Sequence, residues 1–177
     1  MIRLFVVLAA IASTGFAQNR PIEQVEINAP YVESPSTVVS AMLKLAGVTS
    51  DDVVYDLGSG DGRIIIAAAT EFQAHGVGIE INPDHVEEAR ANAKKADVEK
   101  LVRFEIKDLF EADIHPATVV TLYLLPNLNL RLQPKLLKEL APGTRVVSHE
   151  FGIGDWKPEK EETVEGSHIY LWTIPPK

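Results

Sequence analysis

The sequence predicts an α/β fold: a seven-stranded, mainly parallel sheet with helices on both faces and a β-hairpin at its C-terminal end. Two observations carry this expectation. From Val53 to His149 short strand-like runs alternate with helical runs, and parallel neighbours need crossover helices of a single hand. From Glu161 onward the rhythm breaks into strand, two-residue turn and strand, the pattern of a hairpin closing the sheet.

The elements follow in order. Ser34 is placed to cap a first helix with Pro35 at its first position; Val38, Val39, Met42, Leu43 and Ala46 fall on one face, and Gly47 stops it. Val53 to Leu57 reads as a buried strand, Arg63 to Phe72 as a helix, Gly76 to Ile81 as a strand, and Pro83 to Ala96 as a helix with a charged face. Leu101 to Ile106 is the third strand and Thr118 to Leu125 the fourth. Asn127 to Leu140 reads as a helix interrupted or started late by Pro134. Gly143 precedes a fifth strand, Thr144 to His149, and Glu161 to Glu165 and His168 to Ile174 flank a Gly166-Ser167 turn.

With 177 residues, 46% of them apolar, the chain suits one domain, placed at residues 34–177. Residues 1–17 read as a signal peptide: Arg3 gives a positive start, Leu4 to Ala12 a short apolar run, and Gly15-Phe16-Ala17 a small-residue cleavage site. Export to the periplasm or exterior is the expectation, with a cytoplasmic or membrane-anchored protein if the leader stays on. Residues 18–33, with Pro21 and Pro30, form an extended lead-in. The absence of cysteine excludes disulfides and thiolate metal sites. Net charge is −8, and −9 once Arg3 is removed, a balance that repels phosphate backbones and disfavours nucleic acid while attracting cationic ligands or basic proteins.

The chemistry centres on Asp56-Leu57-Gly58-Ser59-Gly60-Asp61-Gly62-Arg63, where a buried strand runs through a loop with glycine at every second position into a helix. Such a loop lets a ligand lie across the strand end. The dinucleotide fingerprint wants glycine where Arg63 stands, and a P-loop wants Gly-Lys-Ser/Thr where Gly62-Arg63-Ile64 stands, so neither fits. Twenty positions after Gly60, Glu80 ends the second strand and can accept both ribose hydroxyls of a nucleoside. Asp108 can accept from an adenine amino group, with Leu109 or Phe110 packing on the ring. His75, His85, His115 and His168 show no metal-ligand spacing, so no metal site is expected. His149 reads either as a proton acceptor or as an ordinary strand-end histidine, and Trp156 and Trp172 read as packing residues.

Asp56 to Gly62, Glu80 and Asp108 together resemble the successive cofactor motifs of the class I, Rossmann-like, seven-stranded S-adenosylmethionine-dependent methyltransferases, over essentially all of Asp51 to Ile174. The resemblance implies S-adenosyl-L-methionine as cofactor, with Asp56, Gly58, Ser59, Gly60 and Gly62 under the methionine moiety, Glu80 on the ribose, and Asp108 and Leu109 on the adenine. A closer resemblance is to bacterial relatives of the mitochondrial lysine methyltransferases that modify the c-ring protein of ATP synthase and the adenine nucleotide translocase. It rests on Tyr31-Val32-Glu33-Ser34-Pro35, Tyr123-Leu124-Leu125-Pro126-Asn127 and Ser148-His149-Glu150-Phe151 followed by Trp156. The leader departs from the membrane-targeting segment of those enzymes, and the sequence around Trp156 is only loosely similar.

The resemblance implies a protein-lysine acceptor. Enzymes that methylate nucleobase or glutamine nitrogens carry Asn/Asp-Pro-Pro-Tyr/Phe after the fourth strand, whereas this chain has Leu125-Pro126-Asn127-Leu128. A lysine must be held neutral and in line with the methyl group, away from water. Tyr31, Tyr123 and Asn127 are the candidates for that rim. Two alternatives remain at this point: a small-molecule acceptor, and a non-catalytic binding module, which the export leader favours because the methyl donor is made in the cytosol.

Overall fold

A computed structural model describes residues 32–177. The leader, most of the lead-in and Tyr31 lie outside the described residues. The order of elements is α1 (Ser36–Leu45), β1 (Val53–Leu57), α2 (Arg63–Phe72), β2 (His75–Glu80), α3 (Pro83–Lys95), β3 (Val102–Ile106), β4 (Val119–Leu122), α4 (Pro126–Glu139), β5 (Arg145–His149), β6 (Lys160–Val164) and β7 (Ser167–Thr173).

The strands form one seven-stranded sheet in the order β3-β2-β1-β4-β5-β7-β6. Pairings from β3 through β5 are parallel, and β7 runs antiparallel to both β5 and β6. One face carries α1, α2 and α3 over a core that includes Val54, Ile65, Ala68, Ala89, Phe104 and Val147. The other packs α4, through Leu132 and Leu136, with Ile114, on Tyr55, Leu57, Val120, Val146 and Trp172. Trp172 is fully buried and donates from Nε1 to the Trp156 carbonyl at 2.8 Å, a packing role for both tryptophans. The helices on both faces are those the alternating pattern predicts, because nearly continuous apolar strands such as Val119 to Leu122 need cover on two sides.

Four local expectations are corrected. Ser34 does not cap α1: Pro35 occupies the cap position with extended ψ, no side chain caps the helix, and the buried Ser34 hydroxyl turns instead toward His149. β4 ends at Leu122 rather than Leu125, so Tyr123 to Leu125 leave the sheet and rim the strand end. Pro134 does not interrupt α4. Pro134 and Leu130 are both exposed, so solvent can serve the carbonyl that proline leaves without a donor, while buried Leu132 and Leu136 anchor the helix on either side. The hairpin turn is Glu165-Gly166, with φ of 51° and 88°, the two-residue geometry whose twist suits paired strands.

Direction along the sheet reverses between β1 and β4, where the chain, having built outward through β2 and β3, returns to the other side of β1. In open α/β sheets that point leaves a crevice beyond the carboxyl ends of the strands. Two glycines in β2 let neighbouring groups close on the strand: Ile65 of α2 at Gly76, and Phe104 of β3 with Ser59 of the glycine loop at Gly78. A Cβ on Gly78 would stand 2.4 Å from the Phe104 ring and 2.6 Å from Ser59 Oγ, and one on Gly76 would stand 2.5 Å from Ile65.

Candidate active site

A cleft of about 480 Å³ opens at the reversal point, within the range of small-molecule sites. Asp56, Gly58 and Ser59 form its floor, Ile79 and Glu80 one wall, Asp108 to Phe110 the end of that wall, and Tyr123, Leu124, Leu125, Asn127 and Leu128 the opposite side. Every cofactor candidate from the sequence therefore lies on the cleft except Gly60 and Gly62, which act from behind it. Gly60 donates its amide to Glu80 Oε2 at 3.0 Å, and Gly62, at φ 81°, backs onto Phe104 and Ala89 at the start of α2.

Glu80 organises the crossing. Its Oε1 accepts from the amides of Ile81 and Asn82, both at 2.9 Å, while Oε2 takes Gly60, so the carboxylate ties the glycine loop to the end of β2. The loop itself is drawn in by Gly58 and Ser59 amides donating to the Ile79 carbonyl at 2.8 and 3.0 Å. A side chain at Gly58, held at φ 89°, would stand 3.0 Å from Leu124, on the side where the cleft opens. The glycine keeps that floor bare.

Asp56 is strongly perturbed. It is 2% exposed, and its carboxyl accepts from Thr121 Oγ1 at 2.6 Å across the β1–β4 pair. Burial pushes it up to about 7, Glu80 and Asp61 push the same way, and the Thr121 hydrogen bond opposes them. A buried carboxyl beside two more acids favours a cationic ligand, whose charge would let Asp56 ionise. The bare glycine floor, the cluster of acids and the acceptors at Glu80 and Asp108 fit a positively charged nucleoside ligand, which is what S-adenosylmethionine is.

Other residues of the site escape sequence reasoning. Arg63 joins Asp61 at 2.7 Å, Glu33 at 3.0 Å and the Ser34 carbonyl at 3.1 Å, fastening Glu33 and Ser34 to the glycine loop. Arg131 of α4 lies over the Phe110 ring at 4.3 Å, so that ring has a cation on one face. Asn129 is buried in α4 and donates to the carbonyls of Phe151 and Gly152 at 3.3 and 3.2 Å, pinning the loop after β5. Apart from Arg63 and Asp61, these partners are too far apart in the chain for a motif to betray them. Among the acceptor candidates Tyr123 and Asn127 both line the cleft, and Tyr31 lies outside the described residues. Burial pushes the Tyr123 phenol up, with Glu150 adding to the effect. His149 lies behind the wall, and burial pushes its imidazole down against the opposing effect of Glu150.

Away from the cleft, Asp113, His115 and Glu139 bring one potential ligand atom each within 4.8 Å of the others. Spacing alone hides this group because Glu139 comes from a different element. Its Glu139 carboxylate is already paired with Lys135 at 2.8 Å. Among the described residues no helix is long and apolar enough to cross a membrane.

Comparison with known proteins agrees with this geometry. A family model described as the ANTKMT methyltransferase domain matches residues 56–160, from the buried aspartate to the start of β6. A Saccharolobus islandicus protein named protein-lysine N-methyltransferase is 51% identical over 82% of this chain and 93% of its own length. The adenine nucleotide translocase lysine N-methyltransferase of Mus musculus is 32% identical over 88% of this chain, which spans 66% of that longer protein. A crystal structure described as an RNA methyltransferase from Salinibacter ruber in complex with S-adenosyl-L-homocysteine superposes with a TM-score of 0.81 at 57% identity, covering 82% of this chain and 95% of that one. With the glycine loop and the acids at Asp56, Glu80 and Asp108 all inside the matched region, the chain belongs to the ANTKMT methyltransferase domain family and is an S-adenosylmethionine-dependent methyltransferase.

Proposed function

We propose that the acceptor is the side-chain amine of a protein lysine, approaching from the Tyr123–Asn127 side of the cleft. The observation that carries this reading is the rim itself. Tyr123, Leu125 and Asn127 line the cleft beside the bare glycine floor, and the rim offers one amide and one hydroxyl rather than a paired clamp for a planar NH₂ group. The 51% identity to a protein named protein-lysine N-methyltransferase supports it.

S-adenosylmethionine supplies a methyl group on a positively charged sulfur. The residues of this chain have five tasks around it. Asp56, Gly58 and Ser59 would carry the methionine end, Glu80 would accept from the ribose and Asp108 from the adenine, with Leu109 against the ring. Tyr123 and Asn127, with Tyr31 ahead of α1, would orient the amine lone pair through their oxygens. Leu124 and Leu128, both half-buried, would shield the amine from water, and that shielding favours the neutral amine over the ammonium, whose unperturbed pKa is near ~10.4. The ammonium must give its proton to solvent before transfer, because only the neutral amine carries the lone pair that attacks; the new N–C bond replaces the S–C bond, and the positive charge passes from sulfur to the methylated amine.

The description of the Salinibacter ruber structure favours a second reading, an RNA acceptor. Net charge of −8 opposes a phosphate backbone, as does a cleft where Glu33, Asp56, Asp61, Glu80 and Asp108 outnumber Arg63, Lys107 and Arg131. The test is labelling from radioactive donor with three acceptors: a protein pool, the same pool with its lysines acetylated, and total RNA. Labelling of the first alone is the expected result. Equal labelling of both protein pools, or labelling of RNA, would replace lysine with another acceptor.

A further inference from the structure

Two residues of the cleft wall are held from behind by a third that does not line the cleft. Ser34 Oγ lies 2.9 Å from His149 Nδ1, a contact between residues 115 apart in the chain. The Tyr123 ring lies against the His149 ring with centroids 3.9 Å apart and planes tilted by 34°. Ser34 and Tyr123 both face the cleft.

His149 is itself 2% exposed, and its Nε2 is buried with no hydrogen-bond partner among the described residues. A buried ring nitrogen left unpaired costs stability. Packing alone would be served at this strand end by an apolar ring of similar size. What histidine adds is the Nδ1 contact, and that contact leads to Ser34, the residue before the helix-opening Pro35 and three after Tyr31.

We propose that His149 is a positioning residue for the methyl acceptor: its Nδ1 fixes Ser34 ahead of α1, its ring fixes Tyr123, and the two together set the opening through which the acceptor passes. The proposal rests on the lysine reading only for the identity of that acceptor. His149 does not touch the reacting atoms, so its effect falls on acceptor placement and not on the cofactor.

The test is a double-mutant cycle with two readouts. Ser34→Ala and His149→Phe should each lower the single-turnover rate about tenfold, and the double variant should lose no more than either single, because both remove one contact. S-adenosylhomocysteine Kd should stay within about threefold. Amide exchange in residues 32–39 should quicken in all three variants, a readout that needs no acceptor. His149→Asn, which keeps a hydrogen-bonding atom near the Nδ1 position, should restore slow exchange there. Should His149→Phe fail to fold, Ser34→Ala and His149→Asn carry the same test. Losses that multiply in the double variant, a Kd that rises in step with the loss of rate, or unchanged exchange in residues 32–39 would overturn the proposal. If acetylated and native pools label equally, the lysine reading fails, and the cycle is read on the acceptor that does label.

Discussion

Replacing Asp56 by Asn should alter how stability depends on pH, and the size of the effect follows from the site. The carboxyl titrates near 3.8 when unperturbed and is pushed up to about 7 in the folded chain. Between those values the folded state keeps a proton that the unfolded state releases. Stability therefore falls as pH rises through this window. At ~1.4 kcal/mol per pH unit, the Asp56 contribution changes by about 3 kcal/mol between pH 4.5 and pH 8. His149 works in the opposite direction as pH falls below the ordinary imidazole range, since its pKa is lowered and its folded form resists protonation. Taking the difference between wild type and Asp56→Asn cancels that and every other group outside the site. Urea unfolding at pH 4.5, 6 and 8 is the assay. The amide variant should gain on wild type by about 3 kcal/mol across the series, with equal m-values. A difference that stays constant with pH would mean that Asp56 titrates as an ordinary carboxylate, and the case for a charge-hungry cleft floor would fall with it.

Glu80→Ala should weaken S-adenosylhomocysteine binding by roughly ten- to a hundredfold in calorimetry, because it removes a charged acceptor and frees the Gly60 amide. Gly78→Ala should lower the urea midpoint, corresponding to about 1–3 kcal/mol, since its Cβ would meet Phe104 at 2.4 Å and Ser59 at 2.6 Å. Asn127→Ala and Tyr31→Phe should leave cofactor affinity within a few-fold and lower turnover about a hundredfold, as loss of orientation acts on the transition state. A C-terminal reporter fusion should be recovered outside the cytoplasm with its N-terminus near Gln18, and an intact Met1 on cytosolic protein would refute the export reading.

The strand-glycine-helix segment at Asp56 to Arg63 is legible in the sequence because its ligand-facing demand is local: one loop must be bare, and its glycines fall within a few residues of one another. Glu80 is legible for the same reason, at the end of the next strand, although its hold on Gly60, Ile81 and Asn82 is not. The end of β4 is hidden because Tyr123-Leu124-Leu125 continues an apolar run whose periodicity cannot say where pairing stops. Pro134 misleads because a solvent-facing proline breaks one hydrogen bond while tertiary packing of Leu132 and Leu136 retains the helix. Ser34 looks like a cap, a local role, but its partner His149 lies 115 residues away. The Arg63 bonds to Glu33 and Ser34 and the Asn129 contacts to Phe151 and Gly152 are likewise invisible, since each joins residues brought together only by the folded chain.

Lysine methylation directed by the Asn127 rim is tested most directly by peptide mapping of the methylated products by mass spectrometry, after a single turnover with saturating donor, for wild type and Asn127→Ala at equal cofactor occupancy. Added methyl mass should appear on lysine side chains with the wild-type protein and fall about a hundredfold with the variant, as expected of a lost positioning contact. Methyl groups found on another residue type, or equal yields from the two proteins, would contradict it.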